Sequence, residues 1–424
     1  MEEATRFIGI RHRVKTTAEG EAHPTQVVIL EGDEVETLEL PDEQAEFDYA
    51  LGEFPVEVRR VEPGDNLSGF KPHHIMWRRV KADESVEGLP ETHLRRDGKL
   101  VYRVHRVPAA YGGLSPGDRV GMVLGGSGNY FAFALARRAR EIDVEVLRIP
   151  PFVLARERSG ERGEDARTLA LLVRERAALF FPVTDRDLAL IRVREAHRDR
   201  IDAMKGRIAC EQRLRQHTIG QVFCSPEGGY PEGGLEKAHD ARRASDRILT
   251  ALLAEEGARE RELAKALGAL DLYTELLEPI EGVGPALAAP IIAAVIDIRR
   301  FPTVAKFKTF CGCHVLEDGR FPRRRRGEVA NWHPDIRQAL FLLGDQWNRR
   351  PDSRWGKKLR HWKTVLRERH PEPVEVDGVL KYTNGHIHKM ALWRTRTKFT
   401  EWLYRAWWGF ERSGRIARDE AQAA

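Results

Sequence analysis

An α/β domain followed by a mostly helical region is the fold class the sequence predicts, on three observations. A strand–turn–helix–strand order runs from Arg119 to Leu147, two long polar helical stretches flank a Gly/Pro-rich loop near residue 230, and an apolar helix follows the turn Gly282-Val283-Gly284-Pro285. With 424 residues the chain is long enough for two or three domains. Hydrophobic residues at 42% and charged residues at 32% exclude a disordered chain. No apolar run approaches the roughly 18–20 residues that span a bilayer, and the acidic start Met1-Glu2-Glu3 is unlike a signal peptide. Cys210, Cys224, Cys311 and Cys313 form no CxxC pair, so a reduced, cytoplasmic protein is expected.

Taken in order, Phe7-Ile8-Gly9-Ile10 and Thr25 to Leu30 are apolar runs, and Val35 to Leu40 alternates apolar and acidic residues, so three short strands open the chain. Residues 56–117 are rich in turns and charge and read as an irregular insertion with a hairpin near Lys99-Leu100-Val101-Tyr102. A strand from Arg119 to Leu124, the turn Gly125-Gly126-Ser127-Gly128, a helix to about Glu141 and a strand from Val144 to Leu147 imply a parallel sheet. The Gly-rich turn lacks the spacing of a nucleotide-binding fingerprint and reads as a tight turn at a strand end. A short helix is expected from Asp165 to about Glu175.

Residues 185–222 read as one long helix with Leu190, Ile201, Met204 and Ile208 on a narrow seam, and a second runs from about Glu236 to Leu267. They make either an antiparallel hairpin or an intermolecular coiled coil. The expected domains are therefore 1–184, a helical arm at 185–270, and 271–424.

Charge is unevenly spread. Residues 301–412 hold 24 Lys/Arg against 12 Asp/Glu, whereas the rest of the chain holds 46 against 53. Eight of the nine tryptophans lie in the basic part: Trp332, Trp347, Trp355, Trp362, Trp393, Trp402, Trp407 and Trp408. Cations neutralise phosphates and flat rings stack on bases, so this mixture suits a polyanion, although a Trp can equally be a core residue. Ile280-Glu281-Gly282-Val283-Gly284-Pro285 before an apolar helix has the layout of a helix-hairpin-helix, in which Gly282 and Gly284 let the backbone approach a phosphate. Lys306 and Lys308, the run Arg323-Arg324-Arg325-Arg326, and Arg394, Arg396 and Lys398 extend the expected nucleic-acid footprint.

Gly282-Val283-Gly284-Pro285, Arg300-Phe301 and Phe310-Cys311-Gly312 resemble the C-terminal domain of the IS-110 family of insertion-sequence transposases. Arg337-Gln338-Ala339-Leu340 is similar to its R-x-x-L helix, Ser127-Gly128-Asn129-Tyr130 to its TGxY segment, and Asp165-Ala166 to the DA that opens a later helix. The resemblance covers most of the chain, apart from 56–117 and the tail after about 345. It implies a RuvC-like domain of RNase H type at the N-terminus, an Asp-Glu-Asp-Asp set holding divalent metal, and a C-terminal serine that attacks DNA; some members are guided by a structured RNA.

Carried over position by position, the metal set is degenerate. Arg11, Gly125 and Arg162 stand where three of the acids belong, and only Asp165 is retained as a catalytic acid; Asp318 occupies the nearest match to the serine. Two arginines repel a metal ion that needs several carboxylates. Glu157, Glu161 or Glu164 are the available substitutes. Cys311, Cys313 and His314 with His386 and His388 match no zinc spacing. The expectation is a nucleic-acid-binding homologue, for DNA, a structured guide-type RNA, or both, whose cleavage is lost or much reduced and which, if inactive, needs no cofactor. The alternative is an active transposase or recombinase that uses Mg²⁺, displaced acids and another nucleophile. A homo-oligomer through the arm is expected, and no membrane.

Overall fold

Phe7-Ile8-Gly9-Ile10 becomes a central strand because both of its faces are covered, which is why the run is apolar without alternation. In the computed structural model, β1 (Phe7–Arg11), β2 (Thr25–Glu31) and β3 (Glu34–Leu40) form an antiparallel meander, with Ile8 opposite Ile29 and Val27 opposite Leu38. The structure describes residues 5–13, 23–62, 64–81, 83–158, 160–226, 232–317, 321–323, 330–376 and 378–422, with side chains as far as 413. Two units divide the chain at 184/185.

In the first unit, α1 (Glu43–Leu51) starts where the Asp42 carboxylate accepts the Ala45 N–H at 2.9 Å. The segment expected to be irregular is instead a second sheet: β4 (Phe54–Arg60), β5 (Met76–Arg79) and β6 (Leu94–Asp97) all pair with the 13-residue β7 (Leu100–Gly112). Among the described residues its core holds three buried apolar side chains, Leu67, Val104 and Val107, which leaves little periodic signal in the sequence. Then follow β8 (Arg119–Val123), α2 (Asn129–Ala139), β9 (Glu145–Ile149), α3 (Pro151–Glu157), α4 (Asp165–Arg176) and the short β10 (Phe181–Pro182). β8 and β9 lie parallel to β1, giving the order β10-β9-β8-β1-β2-β3. Tyr49 of α1 and Phe131 and Leu135 of α2 pack on Ile8, Ile10, Val120 and Met122. α4 covers the opposite face, where Ala166 and Ala170 meet Val28 and Leu30.

In the second unit, α5 (Asp185–Phe223) returns through α6 (Gly234–Ser245) and α7 (Arg247–Gly268). The single helix expected from 236 to 267 is broken because Asp246 turns extended and caps α7, accepting the Leu249 N–H at 2.7 Å. Cys210, Leu214 and Leu249 make the hairpin seam, flanked by ion pairs Arg207–Glu256 and Arg200–Glu260. The arm shares its unit with the helices that follow: Leu190, Val193, Leu263 and Leu267 enter the same core as α8 (Pro285–Val295), α9 (Val304–Phe310) and α10 (Pro334–Arg349). α11 (Arg354–Arg369), the β11 (Val374–Val376) and β12 (Val379–Lys381) hairpin and α12 (Asn384–Gln422) complete the unit. No helix among the described residues is long and apolar enough to cross a membrane.

Candidate functional site

The chemistry of the first unit gathers where β1 and β8 end. Gly9 and Gly121 are register partners on these strands, and a side chain at either would drive into α4: at Gly9 into the Ala166 carbonyl, at Gly121 into Val173. Two adjacent glycines thus make the flat seat that lets α4 lie directly on the sheet. Arg11 ends β1, Gly125 follows β8 with φ +90°, and Arg162 is exposed in the turn Arg162–Glu164. Asp165, the first residue of α4, is 9% exposed, and Arg158 donates to both of its oxygens at 2.6 and 2.9 Å. The acid expected to be retained is therefore neutralised by a guanidinium.

The substitutes fare no better. Glu157 is bound by Arg156 and Arg176, which with its hydrogen bonds hold its carboxyl below the usual range, and Glu161 and Glu164 are exposed. Among the described residues, the group that could hold a metal lies elsewhere, at Asp48, His73 and His74. Both imidazole Nε2 atoms approach one Asp48 oxygen, at 3.0 and 2.9 Å, and Lys71 Nζ is 3.7 Å from the other. Two imidazoles and a neighbouring ammonium do not suit Mg²⁺, which takes oxygen ligands. The divalent metal implied by the resemblance does not fit the residues present.

A different constellation occupies the strand ends. Ser127, exposed in the turn after β8, lies 2.8 Å from His12 Nδ1, one residue beyond β1. His12 Nε2 is 3.2 Å from Glu46 Oε1, and Thr25 donates its hydroxyl to the same oxygen at 2.5 Å. Glu46 is buried on α1. Ser127 is 115 positions from His12, so no spacing in the sequence could have joined them.

In the second unit, Gly282 takes φ +93° with its α-carbon facing Gln346 of α10, and Gly284 stands exposed as the uncapped N-cap of α8. α8 ends on a tight turn in which the Asp297 N–H reaches the Val295 carbonyl at 2.6 Å and the β-branched Ile296 is held at φ +58°, a strained conformation. Arg300 donates to the Val295 carbonyl and lies over the Phe301 and Phe310 rings, so the Arg300-Phe301 pair caps α8. Arg337 donates to the Pro322 carbonyl at 2.6 Å and stacks 4.3 Å from the Trp332 centroid.

The expected cations have distinct placements. Lys306 and Arg323 are exposed, while Arg324, Arg325, Arg326 and Asp318 lie outside the described residues. Lys308 and Lys398 both bind Glu401, at 3.1 and 2.9 Å. Arg394 lies over the Trp362 ring at 5.1 Å. Arg396, expected at the surface, is 7% exposed, donates to the Phe341 carbonyl at 3.1 Å and rests against Gly344. Burial pushes its guanidinium below its ordinary pKa. Its role is in the interior, because α12 turns this residue toward α10.

The tryptophans are likewise mostly spoken for. Trp347, Trp355 and Trp407 are core, and the others are half-buried, with Arg337 over Trp332 and Trp393, Arg354 over Trp402 and Arg412 over Trp408. The interleaving of rings and cations thus builds intramolecular cation–π pairs in the first instance. Cys311 and Cys313 are buried, with burial raising both thiols, and they form no metal group with His314, His386 or His388 among the described residues.

Residues 274–355 match the model of a transposase family, Transposase IS116/IS110/IS902. The match begins inside the π-helical turn Leu272–Leu277, takes in α8 to α10 and ends at the start of α11. No curated protein matches the chain.

Proposed function

We propose, from the match of residues 274–355 to the model of the IS116/IS110/IS902 transposase family, that the chain is a nucleic-acid-binding relative of these transposases that has lost metal-dependent cleavage. The observation that carries the loss is the closed Arg158–Asp165 pair standing where a metal ligand would have to be free. The sheet order β3-β2-β1-β8-β9, antiparallel in its first three strands and parallel in the rest, supports an RNase H type of domain. Such a domain would keep a nucleic-acid contact without metal-dependent cleavage.

DNA is the partner the family domain favours. The exposed Gly284 turn, Lys306 and Arg323 supply sequence-independent phosphate contacts, and a structured RNA would meet the same groups. The α5–α7 hairpin leaves Ile248 66% and Leu253 47% exposed, a surface through which two copies would associate. Transposition and recombination are the processes in which such a protein would act.

The test is the salt dependence of DNA affinity. Replacing Arg323 to Arg326 with Ala should weaken binding and reduce the log–log salt slope by up to about four units, at roughly 0.9 for each phosphate no longer neutralised. An unchanged slope in a folded variant would remove this run from the footprint. A parent chain without affinity for DNA or RNA would remove the binding function.

A further inference from the structure

We propose that Ser127, His12 and Glu46 form a metal-independent nucleophilic site that takes the phosphoryl group of a phosphodiester. The substrate class rests on the nucleic-acid reading above; the site rests on its own geometry.

The three groups are graded as a nucleophile and its base must be. The Ser127 hydroxyl is exposed, the His12 ring is 13% exposed behind it, and Glu46 lies deeper at 8%. With Nε2–H facing Glu46 Oε1 at 3.2 Å, Nδ1 is left bare to accept the Ser127 proton at 2.8 Å, a tautomer assigned from its neighbours. Glu46 is itself fixed by the Thr25 hydroxyl, and Arg13 Nε lies 3.5 Å from the same oxygen, so the imidazole has a held partner on the side away from the serine. The turn is built for an exposed side chain: Gly125 and Gly126 take φ +90° and +76°, and a side chain at Gly128 would press on His12 at 3.0 Å.

The surroundings select an anion. Ser127 immediately precedes Gly128, the N-cap of the 11-residue α2, which offers no side-chain acceptor. Its first N–H groups and the positive end of its dipole suit phosphoryl oxygens. Arg148, 1% exposed, reaches the Asn129 side chain at 3.4 Å and adds a buried cation at the foot of the same turn.

In the first step the Ser127 Oγ–H bond breaks and its proton passes to His12 Nδ1. Oγ attacks phosphorus, a P–Oγ bond forms, the P–O bond to the leaving alcohol breaks, and the leaving oxygen takes the proton from His12. Water then attacks phosphorus by the same route, releasing Ser127. Nothing is oxidised or reduced. Ser127 and His12 are catalytic residues in this scheme, and Glu46 is a positioning residue.

The test uses the full chain with EDTA present. An aryl fluorophosphonate, which loses fluoride as a P–Oγ bond forms, serves as the trap, and bis(4-nitrophenyl) phosphate reports turnover. We expect the adduct on the Ser127 peptide by tandem mass spectrometry, with a labelling rate that falls in acid, as a general base that must be free of its proton requires. His12→Gln should lower that rate by about 10²-fold or more. Glu46→Gln should lower it less and move the pH midpoint downward, a shift that a merely structural role would not produce. Labelling of Ser127 no faster than that of other serines, or at a pH-independent rate in the parent, overturns the site whether or not the variants fold. DNA affinity is measured in parallel: a chain that binds DNA but is not labelled sinks this inference alone, and one that is labelled but binds no nucleic acid overturns the substrate class.

Discussion

Arg158 holds Asp165 by two parallel hydrogen bonds, Nε to Oδ1 at 2.6 Å and Nη2 to Oδ2 at 2.9 Å, at the head of the helix that lies on Gly9 and Gly121. The two residues are seven positions apart, and the fork closes the stretch between α3 and α4. A carboxylate held this way stabilises the start of α4 through its charge as well as its geometry.

Asp165→Asn is therefore expected to destabilise the first unit by about 1–3 kcal/mol, by leaving a half-buried guanidinium with a weaker partner. Adding Mg²⁺ should not raise the melting temperature of the parent or of the variant. A calorimetric scan with and without the ion checks both points. A parent stabilised by millimolar Mg²⁺, with the effect abolished in Asp165→Asn, would mean that the carboxylate is a ligand after all.

Much of the first unit was legible because burial on two faces writes a strong signal. Ile8, Ile10, Val27 and Ile29 face one layer, while Phe7, Val28 and Leu30 face the other, so the strands stand out as apolar runs. The inserted sheet was not legible, since β5 and β6 are four residues each and half arginine, and among the described residues its core holds three buried apolar side chains. The break at Asp246 was missed because its capping role depends on an extended backbone that composition does not encode. At the site, sequence could find Asp165 and the glycines near 282. It could not pair Asp165 with Arg158, place His12 beside Ser127, or see that Arg396 points inward. Those relations are set by packing between distant segments.

The inward turn of Arg396 separates two kinds of cation in the last helix and its neighbours. Arg396→Leu should change thermal stability by about 1–3 kcal/mol while leaving the salt slope of DNA binding unchanged, because the guanidinium is committed to the Phe341 carbonyl. Lys306→Ala should do the reverse: no change in melting, and a slope smaller by about 0.9, the share of a single phosphate. Equal effects of both variants on the slope would place Arg396 in the footprint.

The helical hairpin offers a third expectation. Its seam at Cys210, Leu214 and Leu249 is satisfied within one chain, but Ile248 and Leu253 remain outside it. We expect light scattering at tens of micromolar to show a dimer, and the double variant Ile248→Lys, Leu253→Lys to be monomeric with unchanged helix content. A monomeric parent, with or without DNA, would confine the hairpin to an intramolecular role.

The last expectation concerns acid. In the second unit, burial holds the imidazoles of His197, His314, His333 and His388 below their ordinary pKa; at His197 the charge of Asp335 opposes the shift and that of Arg200 adds to it. A histidine with a lowered folded pKa binds its proton more readily in the unfolded chain. The unfolded state therefore takes up protons first as pH falls through about 6.5, and stability is lost from there downward. Asp48 acts in the same sense further down. Burial alone would raise its carboxyl, but hydrogen bonds from His74, His73 and Gln44 hold it below the usual range, so its contribution disappears only as pH falls below about 4. Denaturant unfolding followed at pH 7.5, 6.5 and 5.5 should show the second unit weakening over this range. His197, the most buried of the four, is the one to replace: His197→Gln should flatten the dependence by less than one proton, a limit of about 1.4 kcal/mol per pH unit. If the variant and the parent lose stability in parallel, the His197 ring is not what acid attacks.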